Sequence, residues 1–396
     1  MAKANKHLDH LEDRIILEGA TGGAEAIKIL KEMGDLLTGK PGVPISVTTK
    51  WDGAPAIVCG IDPEDGKFFV GTKSVFNTQD PKICKTQSDV MRMYDGALAQ
   101  KLSTALRYLP SSVQSGILQG DLMFTDDKKS ESIDGQRMIT FRPNTITYAA
   151  NPRTSLGRDI QTAQIGIVFH TKYTGSKMSD LTPSFMINDT DFKTGGSVWA
   201  ERATFTDMGG VANFSLGEKQ KYDAAIRKAE GSLRQTRGFL NEIQTGKKAR
   251  GVDTELLKFF NQYVRQGMEV PSVQKGYDDY ILHMNNEFNK LYGKVKTQKT
   301  VSRKVEEWAS MIYFLTKNKD KMKMVIAAYM NLTMAKNMLL GKLKRVSSLN
   351  LFVDKGGGDY EATTPEGFVA ITGDRATKLV DRMEFSRLNF TLPKNW

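Results

Sequence analysis

Residues 50–56 read KWDGAPA and lie between a polar β-branched run, ISVTT (45–49), and an apolar run, IVC (57–59). Both flanking runs are typical of strands, so the lysine is predicted to lie at the end of a strand. A lysine is costly to bury, and Lys-x-Asp-Gly makes a poor strand interior. Two interpretations follow: a surface turn in which Asp-Gly supplies the bend, or a nucleophilic lysine at a sheet edge.

The composition is that of an ordinary globular protein. The chain has 396 residues, of which 40% are hydrophobic and 26% charged, enough for two domains or one large one. No apolar stretch approaches the roughly 20 residues of a membrane span, and the charged N-terminus does not predict a signal peptide. Cys59 and Cys84 are too few for a disulfide framework, and no Cys/His cluster predicts zinc. We therefore expect a cytoplasmic protein with reduced thiols and no membrane partner.

Positive charge is concentrated in one segment. Residues 216–345 hold 26 Lys and Arg against 13 Asp and Glu, whereas the rest of the chain holds 30 against 32. This distribution predicts a polyanion-binding surface, with a merely solvated lysine-rich face as the alternative. The candidate nucleic-acid-binding residues form three clusters near predicted helix ends: Lys247, Lys248 and Arg250; Lys294, Lys296 and Lys299; and Lys342, Lys344 and Arg345.

Hydrophobic periodicity divides the chain into four segments. They are an N-terminal helical segment 1–44, a strand-rich part 45–215, a basic helical insert 216–345 and a second strand-rich part 346–396. Within them we predict helices over 24–37 and 87–108, a hairpin with its turn at 62–66, strands over 116–124, 138–150 and 164–173, and a loop over 151–159.

Charged and aromatic residues recur at the predicted strands of the two strand-rich parts. They are Lys50, Asp52 and Gly53 in KWDG, Lys73 in GTKS, Asp121 in QGDL, Phe169 in IGIVFH, Glu366 in EGFV and Lys378 in ATKLVD. Charged groups at strand positions are costly unless they serve a site. No single motif is informative by itself. The order of the motifs and their positions on predicted strands are what indicate a functional site.

This set of motifs resembles the covalent nucleotidyltransferase superfamily, which contains ATP-dependent RNA and DNA ligases and mRNA capping enzymes. The resemblance covers about residues 45–175 and 350–390. In the finer detail of its motifs, the sequence is similar to ligase-type proteins of large tailed bacteriophages. It implies an α+β fold with an antiparallel-sheet, ATP-grasp-like nucleotidyltransferase core that an all-helical inserted domain interrupts. In a phage protein, the site of action would be the host-cell cytoplasm.

The resemblance also implies roles for individual residues. Lys50 would be the nucleophile that takes AMP, and Asp121 and Glu366 would hold Mg²⁺ or Mn²⁺. The ATP-binding residues would be Thr49, Asp52, Gly53, Lys73, Phe169 and Lys378. Among these, Phe169 would stack on adenine, with Phe141 and Tyr148 as rivals. His10 and His170 are interpreted as structural, with contact to nucleic acid or pyrophosphate as the functional alternative.

The resemblance implies an ATP-dependent polynucleotide ligase that joins a 3′-hydroxyl to a 5′-phosphate through lysyl-AMP. Pro55 stands where DNA ligases usually carry arginine, and no C-terminal OB-fold is expected, so the pattern favours the RNA-ligase type. The alternatives are a DNA or RNA–DNA hybrid ligase, and a non-catalytic nucleic-acid-binding protein on the same fold. We expect the protein to be a monomer that binds the ends of nucleic acid strands. A kinase is not supported, because LTGKPG (37–42) lacks the complete phosphate-loop motif.

Overall fold

The computed structural model shows an α+β protein with largely antiparallel sheets. The structure describes residues 8–38, 46–133, 135–185, 187–203, 214–246, 249–292, 298–343, 350–356, 359–362, 367–372 and 375–383.

The described residues include ten α-helices. They are α1 (Arg14–Leu17), α2 (Gly19–Leu36), α3 (Gln87–Met93), α4 (Gly96–Tyr108), α5 (Ser155–Thr162), α6 (Leu216–Thr245), α7 (Val252–Gln266), α8 (Val273–Tyr292), α9 (Gln298–Lys317) and α10 (Lys319–Leu343). The last five form the helical block and fall in the segment predicted to be helical. None of these ten helices is long and apolar enough to span a bilayer.

The strands form three sheets in the part of the chain that the structure describes. The strands are β1 (Ser46–Lys50), β2 (Ala56–Ile61), β3 (Phe68–Gly71), β4 (Ile117–Phe124), β5 (Lys129–Ile133), β6 (Gln136–Phe141), β7 (Ile146–Ala150), β8 (Ile165–Thr174), β9 (Thr182–Ser184), β10 (Val198–Arg202), β11 (Asn350–Gly356), β12 (Asp359–Ala362), β13 (Gly367–Thr372) and β14 (Arg375–Val380).

The largest sheet has six strands, in the order β10-β8-β4-β2-β3, with β9 paired to β8. The predicted hairpin is confirmed, because β2 and β3 pair antiparallel on either side of the turn. All its pairs are antiparallel except β10 with β8. A five-stranded sheet, β12-β11-β7-β6-β5, joins strands from the two strand-rich parts of the sequence.

The third sheet has the order β1-β13-β14, and the N-terminal segment lies along its β14 edge. Leu11 N–H donates to the Lys378 carbonyl (3.1 Å), and Lys378 N–H donates to the Asp9 carbonyl (2.9 Å). These two bonds place His10 beside Lys378 as a parallel pair. The sheet is therefore assembled from three parts of the chain that are distant in sequence.

The two faces of this sheet have different surroundings. Val47, Phe368, Ala370 and Leu379 belong to a large apolar core that also contains α2 and the helical block. Side chains alternate between faces along a strand, so Lys50 lies on the opposite face. The N-terminal segment, the helical block and this sheet thus share one core, and the division into domains stays a prediction.

Buried ion pairs fasten the N-terminal segment to the helical block. Lys336 Nζ lies 2.6 Å from Glu12 Oε1, and both side chains are 1% exposed. Arg382 Nη1 lies 2.9 Å from Asp13 Oδ1, and the Tyr329 hydroxyl donates to the same oxygen (3.1 Å). Burial raises the pKa of Asp13 to about 6, although Arg382 beside it acts in the opposite direction. Each of these buried charges has a partner of opposite charge, and the two ion pairs hold the segment in place.

Three local predictions were wrong in detail. The single strand predicted over 138–150 is the two antiparallel strands β6 and β7, joined by a turn. The helix predicted over 87–108 is two helices, because Tyr94 and Asp95 are extended and Gly96 has φ of +57°. The loop predicted over 151–159 contains the start of α5, where the Thr154 hydroxyl accepts a hydrogen bond from Gly157 N–H (3.0 Å). Threonine is a favoured N-cap residue, and this capping explains the helix start.

Replacing Lys336 by methionine should lower the free energy of unfolding by about 3–5 kcal/mol, because Glu12 keeps a buried charge without its partner. Urea unfolding followed by circular dichroism measures this loss. The double variant Glu12→Leu/Lys336→Met removes both charges and should recover most of it. A Lys336→Met protein as stable as the parent would contradict the role given to this pair.

Candidate functional site

Residues 50–56 carry the chain from one sheet to another. Lys50 ends β1 and pairs with Gly367, whereas Ala56 begins β2 and pairs with Asp121. Between them, Ala54 N–H donates to the Leu122 carbonyl (3.0 Å), so the connection runs directly against β4. Lys50 and Asp121 therefore both lie next to this connection between β1 and β2.

Asp52 anchors this connection to the five-stranded sheet. Its Oδ2 accepts hydrogen bonds from Thr145 N–H (2.6 Å), the Thr145 hydroxyl (2.6 Å) and Ile146 N–H (2.8 Å), and its Oδ1 accepts from Asn144 (2.7 Å). Its own N–H donates to the Tyr148 hydroxyl (2.8 Å), and the residue is 3% exposed. The ATP-binding role predicted for Asp52 does not fit, because these contacts occupy its carboxylate.

Gly53 is required by close packing. A Cβ at this position would lie 2.5 Å from the Asp121 Cβ and 2.9 Å from the Met123 sulfur. Such distances are not tolerated in a packed interior. The glycine therefore lets the connection between β1 and β2 pack closely against β4, the strand that bears Asp121.

A cleft lies between the β1-β13-β14 sheet and the six-stranded sheet. It is lined by Leu8, Thr48, Thr49, Lys50, Trp51, Asp121, Val168, His170, Phe185, Ala203, Val369 and Ile371. Three residues predicted for the site, Thr49, Lys50 and Asp121, are thus brought together. A lysine, a carboxylate and an imidazole thus lie in a cleft whose other lining residues are mostly apolar, the mixture that is usual for a ligand site.

Lys378 lies on the same sheet face as Lys50. The register pairs Thr48 with Val369 and Val369 with Lys378, and directly paired residues share a face. Lys50 is two residues from Thr48 and shares that face as well. The face turned toward the cleft therefore carries Lys50 and Lys378, two of the three lysines predicted for the site.

Asp121 and His170 stand on neighbouring strands. Asp121 Oδ1 lies 3.7 Å from His170 Nε2, and both side chains are about a quarter exposed, at 25% and 29%. His170 Nδ1 lies 2.8 Å from the Thr171 hydroxyl, which orients the ring. The carboxylate is thus partly open to the cleft and available to a ligand.

The stacking role predicted for Phe169 does not fit the structure. Asp121 pairs with Val168, so Val168 and His170 face the cleft while Phe169 points to the opposite side. Its ring is 0% exposed and packs against Phe192. The rivals Phe141 and Tyr148 are also buried. The aromatic residues that do line the cleft are Trp51 and Phe185, which the sequence analysis missed.

The remaining predicted residues lie elsewhere or outside the described residues. Lys73 is exposed and is not among the residues that line the cleft. Arg250 and Lys299 are exposed on the helical block. The predicted residues outside the described ones are Glu366, Lys247, Lys248, Lys294, Lys296, Lys344 and Arg345. Lys342 lies 2.7 Å from Glu218 and is mostly buried, so its charge is paired.

A basic and aromatic patch at the junction of α9 and α10 was also missed. We define the junction patch as Tyr277, Tyr313, Lys317, Lys319, Lys321 and Lys323. Lys319 and Lys323 lie over the Tyr277 ring (5.4 and 6.0 Å), and Lys317 lies over Tyr313 (5.8 Å). Tyr313 is 64% exposed. The alternating lysines of KNKDKMK (317–323) were the available sequence signal.

The fold and the cleft define an α+β protein with a mostly apolar cleft between two sheets, into which a few charged and polar side chains project. The family of unknown function DUF6267 matches residues 5–394, and the chain belongs to that family. No curated protein and no solved structure matches the chain. The chemistry of the cleft residues is therefore the basis for a functional proposal.

Changing Asp52 to asparagine should lower the free energy of unfolding by about 2–4 kcal/mol, because an amide cannot accept all four hydrogen bonds and turns a donor toward other donors. The matched control is Asp65→Asn. Asp65 is exposed and bonded to Lys85 (2.8 Å), so its loss should cost less than about 1 kcal/mol. Equal effects in thermal and urea unfolding would contradict the anchoring role of Asp52.

Proposed function

We propose that the protein is an ATP-dependent polynucleotide ligase of the RNA-ligase type, built on a nucleotidyltransferase core. The observation that supports this proposal is that Lys50 and Asp121 line one cleft, with Lys378 on the same sheet face as Lys50. These residues are far apart in sequence, and their meeting is what a nucleotide-transfer site requires. A turn lysine of no function would not need a carboxylate on the facing wall.

Lys50 would be the nucleophile. Its amine attacks the α-phosphorus of ATP only in the neutral form, so a nearby positive charge such as that of Lys378 favours the reactive state. The P–N bond forms, the bond to pyrophosphate breaks, and one proton of the amine passes to solvent. An oxygen of a 5′-phosphate end would then attack the phosphorus of the lysyl-AMP, and the P–N bond breaks and returns the amine. A 3′-hydroxyl would finally attack the phosphorus of that 5′-phosphate, lose its proton to solvent and release AMP.

Asp121 would provide the protein's contribution to binding Mg²⁺ or Mn²⁺. Among the residues that the structure describes, no three acidic, histidine or cysteine side chains form a metal site. Mg²⁺ usually keeps several waters and binds through one or two carboxylates together with substrate phosphates, so one cleft carboxylate fits that pattern. A bound cation would offset the charge that develops on the phosphates.

Trp51 and Phe185 would contact the adenine. Both rings line the cleft and are partly exposed. Trp51 stacks on Tyr148 at 5.4 Å between ring centroids, and Tyr148 is itself held by Asp52. A ring fixed in this way offers a preorganised stacking surface. Trp51 and Phe185, which reach the cleft, would thus make the contact with adenine that the motif assigned to Phe169.

The junction patch would hold the polynucleotide. Lysines neutralise phosphates without regard to sequence, and an exposed tyrosine such as Tyr313 can stack on an unpaired base. The patch lies in the segment that carries the excess positive charge of the chain. Nucleotide chemistry and strand binding would then be located on different parts of the protein.

Incubation with α-labelled ATP and magnesium should leave acid-stable label on the parent protein and none on Lys50→Ala or Lys50→Arg. The arginine variant keeps a positive charge but supplies no comparable nucleophile. Lys67→Ala, at an exposed hairpin turn, is the control and should label normally. Label on Lys50→Ala, or none on the parent with any nucleotide, would exclude the ligase proposal. A panel of RNA, DNA and mixed ends then identifies the strand class.

Reversing two lysines of the junction patch, in Lys317→Glu/Lys321→Glu, should weaken binding of single-stranded RNA and flatten its salt dependence. Each lost phosphate contact should reduce the log–log slope by about 0.7. Lys67→Glu/Lys129→Glu changes the net charge equally, but outside the helical block. Fluorescence anisotropy across a salt titration compares the pairs, and labelling of Lys50 should persist in both. Equal loss of affinity in the two variants would mean that net charge, rather than this patch, governs binding.

A further inference from the structure

The segment before α1 places a histidine on one face of the β1-β13-β14 sheet. His10 is paired with Lys378 across the parallel bridge, so the two side chains share a sheet face. Leu8, two residues earlier, lines the cleft together with Lys50. Leu11 lies in the apolar core on the other side of the sheet, as alternation requires. His10 is therefore on the face that carries Lys378 and Lys50.

The His10 ring has an unused polar atom. Its Nδ1 is buried and has no hydrogen-bond partner among the described residues. An unpaired buried polar atom costs about 1–3 kcal/mol, and such atoms are rare in folded proteins. A bound substrate can supply the hydrogen-bond partner that such an atom lacks.

The surroundings of His10 favour an anion. Burial lowers the pKa of His10 well below its usual range, and four cations lower it further: Arg382, Lys336, Lys378 and Lys50. Arg382 and Lys336 are compensated by Asp13 and Glu12. The imidazole is thus neutral at pH 7, and in the tautomer with hydrogen on Nδ1 it offers one donor next to Lys378.

We propose that His10 is a phosphate-binding residue, whose Nδ1–H donates to the β- or γ-phosphate of ATP, the part that leaves as pyrophosphate. The inference rests on the proposed function, and it adds a residue from a segment outside the part of the chain that carries the ligase motifs. His10 makes and breaks no covalent bond. It holds the leaving group beside Lys378.

Isosteric variants separate this role from simple packing. Asparagine places a donor where Nδ1 stands, whereas glutamine places it where Nε2 stands. His10→Asn should bind inorganic pyrophosphate like the parent, and His10→Gln and His10→Ala should bind it about tenfold or more weakly, because a hydrogen bond to a charged group is lost. Isothermal calorimetry with pyrophosphate and magnesium measures this, and circular dichroism confirms that each variant is folded.

The same variants are then assayed in the reverse reaction, in which pyrophosphate releases ATP from labelled protein. The KM for pyrophosphate should rise for His10→Gln and His10→Ala, with little change for His10→Asn. Equal pyrophosphate affinity in all four proteins, equal loss in all three variants, or no pyrophosphate binding by the parent would overturn the role of His10. If the parent binds pyrophosphate but Lys50 is never labelled, the ligase proposal fails while the phosphate site stands.

Discussion

The hydrogen bonds of one buried carboxylate hold the three sheets together. Asp52 accepts four hydrogen bonds from the turn between β6 and β7, and it belongs to the short connection between β1 and β2. Residues 50–56 are thus the place where a strand of each sheet is fixed relative to the others. Lys50 is the first residue of this connection, two residues before the anchor Asp52.

The helical block is an integral part of the same structure. Its core includes α2 and one face of the β1-β13-β14 sheet, and the buried ion pair of Glu12 with Lys336 connects α10 with the segment before α1. The opposite face of that sheet forms a wall of the cleft. The position of Lys50 in the cleft therefore depends on how the helices support the sheet from behind.

Much of the fold could be predicted from the sequence because its signals are local. The hairpin of β2 and β3, the strands β4 and β8 and the helical block follow from periodicity and turn residues. The site was harder to predict, because it depends on which face a strand turns to the cleft. IGIVFH is apolar on both faces, so only the pairing of Asp121 with Val168 shows that His170, and not Phe169, reaches the cleft. The contact of His10 with Lys378 joins the two ends of the chain, and no local pattern reports it.

The pairing of β1 also bears on how the protein is made. In the described part of the chain, β1 pairs with β13 alone, and Glu12 meets Lys336 across 324 positions of sequence. A ribosome releases β1 long before it has made its partner, and pairings of such separation are slow to form. The six-stranded sheet has all its strands much earlier. A growing chain therefore carries Lys50 without the wall of the cleft to which β13 contributes, until residues 367–372 have been made.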